Sequence, residues 1–86
     1  MKHNHLIYLC LVGRGNAGVR DIARRLNRAY STAYYTLSNL RERGLITWER
    51  KRNNTLTLTP AGVEAVRGYA LIPDGERLRL GKGRRV

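Results

Sequence analysis

The sequence predicts a mainly helical α+β domain with a three-helix core, a two-stranded hairpin and a closing helix. Three observations predict it. The run from His5 to Val12 is almost wholly apolar and ends at Gly13. Two stretches with helical spacing follow, separated by Asn27, and then two short stretches alternate like half-buried strands around a basic segment. At 86 residues there is room for one modest core. With 42% hydrophobic residues, no Phe and one Trp, that core is built from Leu, Ile, Val, Ala and Tyr.

Each element has its own signals. Asn4 suits an N-cap, and Gly13 and Gly15 stand where a helix stops, giving a first helix over about 5–12. Residues 13–18 read as a connector, since their glycines match neither a dinucleotide fingerprint nor a P-loop. Val19, Ile22, Ala23 and Leu26 share one helical face, and Asp21 favours the positive end of the dipole, which gives a second helix over about 20–26. Asn27 tolerates a positive φ and marks a tight turn. A third helix, about 30–43, carries Ala33, Leu37 and Leu40 on its inner stripe and stops at Gly44. Ser31, Tyr35, Ser38 and Asn39 point the opposite way, with Thr32 and Tyr34 on the flanks. A solvated face more often carries Glu and Lys; this one is suited to contact. Ile46 with Trp48, and Leu56 with Leu58, supply the apolar faces of two strands around Arg50-Lys51-Arg52-Asn53-Asn54. Thr59-Pro60 reads as an N-cap and first helical residue, opening a fourth helix to about Tyr69. Pro73-Asp74-Gly75 is a turn, after which Leu78 and Leu80 alternate with Arg77 and Arg79 before the chain closes in a Gly/Lys/Arg tail. The expected division is a domain over 1–70 and a C-terminal extension with a basic tail over 71–86.

Charge narrows the partners. Lys and Arg number 17 against 6 Asp and Glu, a net charge of +11, which attracts polyanions and foremost nucleic acid. The lone Cys10 cannot form an intramolecular disulfide, and the apolar run is too short to span a bilayer, so a cytoplasmic location is the expectation. His3, His5 and Cys10 do not have a metal-binding spacing. Carboxylates are few and scattered, and no base is paired with a nucleophile. The sequence therefore points to a protein that is not an enzyme, with no cofactor and no metal.

Four motifs stand in order: Asp21-Ile22-Ala23-Arg24-Arg25-Leu26, Ser31-Thr32-Ala33, Leu40-Arg41-Glu42-Arg43-Gly44-Leu45-Ile46, and Leu58-Thr59-Pro60-Ala61-Gly62. Together they resemble the winged helix-turn-helix DNA-binding domains of MarR-like, PadR-like and ArsR-like transcriptional regulators. Ala23 and Ala33 supply the small residues that let two helices cross closely. The resemblance implies that the third helix enters the major groove of double-stranded DNA, where base edges are distinguishable. It assigns base contacts to Ser31, Thr32, Tyr34, Tyr35, Ser38 and Asn39. Phosphate contacts fall to Arg20, Arg24, Arg25 and Arg28 around the turn and to Arg50, Lys51, Arg52 and Asn53 on the wing, which in similar proteins reaches the minor groove or adjacent backbone.

The leading expectation is a homodimeric transcriptional regulator on a palindromic site, using the first helix, the fourth helix or the Leu71–Leu80 segment as its apolar surface. Short termini argue against a small-molecule effector. The competing classes are an architectural or replication/maintenance DNA binder of low specificity, an RNA-binding protein, and a winged helix used for protein contacts. The basic wing and turn weigh against the last.

Overall fold

The computed structural model describes residues 3–15, 18–49, 55–75 and 77–82. Helix α1 spans His3–Gly13, α2 Val19–Leu26 and α3 Tyr30–Glu42; strands β1 (Ile46–Glu49) and β2 (Thr55–Leu58) follow, then α4 (Pro60–Ala65), β3 (Tyr69–Asp74) and β4 (Arg77–Lys82). Three helices, a hairpin and a closing helix in this order are the winged helix-turn-helix arrangement.

A helix that is apolar all round must be surrounded. In α1 every residue from Tyr8 to Val12 is buried, as is Leu6. It touches α2, α3, α4, β2, β3 and β4. Val19, Ile22 and Ala23 of α2 and Ala33, Leu37 and Leu40 of α3 close on it from one side, and Ile46 and Leu56 of the first hairpin from another. The Tyr8 hydroxyl is buried without a hydrogen-bond partner among the described residues. Because α1 is consumed inside the fold, it is not available as an apolar outer surface.

Both turns that frame α3 have the same construction. Asn27 sits at φ 52°, ψ 48°, its N–H donating to the Arg24 carbonyl while Arg28 N–H reaches back to Ala23. Gly44, at φ 75°, donates to Arg41 while Leu45 N–H reaches Leu40. These paired bonds are the Schellman termination, which needs a left-handed residue and consumes the carbonyls a helix end leaves open. Asn27 fills that place in the turn without being glycine.

The antiparallel hairpin β1–β2 pairs Ile46 with Leu58 and Trp48 with Leu56, so the expected apolar residues share one face. Thr59 then joins three pieces. Its hydroxyl donates to the Gly44 carbonyl at 2.6 Å and accepts from Gly62 N–H at 3.1 Å, and its own N–H donates to Leu45. One residue thus caps α4 and ties it to the turn after α3.

Two features differ from the sequence expectation. The fourth helix stops at Ala65 rather than near Tyr69, because Gly68 at φ 86° turns the chain into a strand. The second half of the C-terminal segment is not simply a tail. β3 and β4 form an antiparallel hairpin, with Leu71 opposite Leu80 and Asp74 opposite Arg77, and Leu71 and Leu78 pack on the core. Val63 and Tyr69 remain about half exposed, at 48% and 44%.

Gly62 supports the packing of α4. A Cβ there would stand 2.1 Å from the Leu45 carbonyl oxygen and 3.1 Å from the Leu58 side chain. Because the first obstacle is backbone, Gly62→Ala is expected to destabilise the protein by about 2–3 kcal/mol in urea unfolding, the upper part of the usual overpacking range. A loss below ~0.5 kcal/mol would show that α4 docks more loosely than described.

Candidate nucleic-acid interface

Burial divides α3 into two faces. Ala33, Leu37 and Leu40 are fully buried, and Ser31, Thr32, Tyr35 and Asn39 on the other side are exposed. Tyr35 is 82% exposed, so most of its side chain stands in water. Ser38 is half-buried at the edge of this face. Thr36 donates to the Thr32 carbonyl at 3.0 Å, which uses its hydroxyl within the helix. Ala29, at the N-cap, offers no side-chain bond to the first turn.

The two adjacent tyrosines have different surroundings. Tyr34 is half-buried, with its ring 5.0 Å from that of Trp48 in edge contact and 6.1 Å from that of Tyr30. The Arg20 guanidinium lies 6.0 Å from the Tyr30 ring, and that of Arg41 lies 5.4 Å from Trp48. These five residues form a ladder along the flank of α3, starting on α2 and ending on β1. Positions 30, 34 and 41 share a helix flank by ordinary helical geometry. Edge-to-face rings and cations over ring faces are favourable contacts. The ladder fixes the β1–β2 hairpin against α3, and Trp48 is the rung on the hairpin side.

Exposed cations lie on α2 and in the turn before α3. Arg20, Arg24, Arg25 and Arg28 are all exposed, Arg20 at the start of α2 and the rest at its end and in the turn. Arg50, Lys51, Arg52 and Asn53 lie outside the described residues, in the segment that joins β1 to β2. Sequence reasoning did not find the ladder, since nothing in Arg41 or Tyr30 alone singles them out. Their i, i+4 and i, i+7 relation to Tyr34, one strand away from a lone Trp, is the signal that carries it.

The other chemistry is sparse. Burial pushes the Cys10 thiol up from its ordinary range, against a smaller opposite pull from the Arg14 guanidinium, so the thiol is protonated at neutral pH. Among the described residues no three His, Cys, Asp or Glu side chains gather where they would hold a metal ion, and no helix is long and apolar enough to cross a membrane.

Fold and face together define a winged helix-turn-helix of the DNA-binding regulator class. The sequence profile of the family described as "Sugar-specific transcriptional regulator TrmB" matches residues 3–67, and the chain belongs to that family. This is a family of DNA-binding transcriptional regulators, not of enzymes. No curated protein and no solved structure matches the chain.

The ladder yields a direct test. In a double-mutant cycle, Tyr34→Leu and Trp48→Leu are expected to couple by about 0.5–1.5 kcal/mol in folding stability. Strict additivity would mean that the rings are neighbours without interaction.

Proposed function

We propose that this chain regulates transcription by placing α3 in the major groove of double-stranded DNA, with the β1–β2 wing on the backbone or minor groove beside it. The observation that carries the proposal is the α3 face itself: exposed, hydroxyl- and amide-bearing, with Tyr35 almost fully in water and Arg20 beside the ring of Tyr30 at the start of the helix. Base contacts are assigned to Ser31, Thr32, Tyr34, Tyr35, Ser38 and Asn39. Of these, Asn39 is suited to bidentate pairing with adenine and Tyr35 to contact with thymine methyls. Tyr34 reaches DNA only with its outward edge, since its ring also supports Trp48. Phosphate contacts are assigned to Arg20, Arg24, Arg25 and Arg28, and to Arg50, Lys51, Arg52 and Asn53 of the wing segment. Residues 1–70 form the DNA-binding unit and 71–86 an appended extension, in line with a family match that ends at residue 67.

The same proposal makes the protein a cytoplasmic homodimer on a palindromic site, joined through the apolar surface that includes the half-exposed Val63 and Tyr69. It requires no small-molecule effector. Selection from random duplexes is expected to enrich a palindrome. Tyr35→Ala and Asn39→Ala are each expected to reduce preference for that site over random duplex by about 1–3 kcal/mol per lost base contact. Replacing Arg50, Lys51 and Arg52 by Ala should instead weaken all duplexes and flatten the salt dependence. Fluorescence anisotropy at several salt concentrations reads both effects. Tight binding with no sequence preference would replace this reading with an architectural or maintenance role, and a preference for RNA hairpins with a nucleic-acid partner of the other kind.

A further inference from the structure

The last turn of α2 and the turn after it carry three arginines within five residues, Arg24, Arg25 and Arg28. Successive helical residues diverge by about 100°, which alone would spread Arg24 and Arg25 over different flanks. The Schellman turn at Asn27 reverses the chain and returns Arg28 to the same end of the helix. All three border one cleft of about 790 Å³. Its remaining walls are Asn4 and Ile7 of α1, Leu26 and Asn27, and Leu78 of β4. The C-terminal hairpin therefore completes a cleft that the helices leave open.

The lining is chemically one-sided. It holds three arginines, two asparagines and three half-buried apolar residues, Ile7, Leu26 and Leu78, and among the described residues no Asp or Glu lines the cleft. Elsewhere two described arginines find carboxylates: Arg67 pairs with Glu64 at 3.0 Å and Arg41 with Glu42 at 4.0 Å. None of the three cleft arginines pairs with a described carboxylate, Asp21 on their own helix included. A helix C-terminus disfavours anions by roughly half a charge. Three full charges outweigh that, and the Ala23 and Arg24 carbonyls are already occupied by Arg28 and Asn27 N–H groups.

We propose that this cleft is an anion site that takes a phosphate group. The guanidinium forks match phosphate oxygens in pairs. The carboxamides of Asn4 and Asn27 are donors for the oxygens left over, and the apolar floor accepts the carbon skeleton that the phosphate carries. A backbone phosphodiester of a duplex and a free phosphate ester offer the same group. The proposal goes beyond separate backbone contacts by Arg24, Arg25 and Arg28, because it makes them one site with α1 and β4.

The test uses the full chain, a variant with Arg24, Arg25 and Arg28 changed to Ala, and a control of equal charge loss with Arg14, Arg67 and Lys82 changed to Ala. One arm titrates inorganic phosphate and follows arginine side-chain N–H resonances by NMR. The other measures a 20-base-pair duplex by anisotropy against salt. A free phosphate source predicts saturable phosphate shifts that persist in the control and vanish in the cleft variant. A backbone source predicts that the cleft variant loses at least tenfold more duplex affinity than the control, with a salt slope reduced by about 0.9 for one phosphate. Either result sustains the site and names its source. Absence of phosphate shifts overturns it when the two variants lose duplex affinity equally, or when the cleft variant's slope falls by about 2.7, as three separate phosphates would give. The phosphate arm decides the matter even if the chain binds no duplex, so failure of this site and failure of the regulator reading are separable.

Discussion

A first helix without a polar side is the constraint on which this structure depends. Tyr8, Leu9, Cys10, Leu11 and Val12 run consecutively around every face of α1, so no orientation at a surface would leave it stable in water. The rest of the chain must wrap it, and each later element has a part in doing so. The two central helices cover one side, the first hairpin and α4 another, and the C-terminal hairpin a third. Burial of each large side chain contributes on the order of 1.5–3 kcal/mol. In a chain this small, such a helix is a large share of the available driving force.

The geometry of the proposed reading head follows from how the wrapping is ended and fastened. Left-handed residues at Asn27 and Gly44 stop α2 and α3, in the turns on either side of the head, without leaving those carbonyls open. Ala33 is fully buried and Ala23 nearly so, which lets the helices approach closely. Thr59 fastens α4 to the chain just after α3, and the Tyr34–Trp48 contact fastens β1 to its flank. Helix α3 and the wing are thereby held by neighbours whose own conformations are fixed, which is what the proposed match to a rigid duplex would require.

Much of this was legible in the sequence because it is written in local terms. The inner stripe of α3, the strand faces at Ile46, Trp48, Leu56 and Leu58, the cap at Thr59 and the positive φ of Asn27 each depend on a few neighbouring residues. The C-terminal hairpin was not legible as a pair. Ala70-Leu71-Ile72 is a short apolar run that suits a helix end as well as a strand, and the alternation of Leu78 and Leu80 with Arg77 and Arg79 names no partner. Only the packing of Leu71 and Leu78 on the core decides between them. The aromatic ladder and the arginine cleft were illegible for a related reason: each joins residues from separate elements, and helical phase at Arg24 and Arg25 gives no hint that Asn4 and Leu78 stand opposite. On the exposed face of α3 the sequence named the side chains, and the structure separated a supporting Tyr34 from an outlying Tyr35.

The most direct measurement is an NMR titration of the amide-labelled protein with a duplex recovered by selection. If α3 is the reading head, the largest shifts will fall on residues 31–39 and on the wing segment, with α4 and the interior of α1 little changed. Shifts concentrated instead on α4 and β3, with Tyr35 and Asn39 unmoved, would contradict the proposal that this face meets DNA.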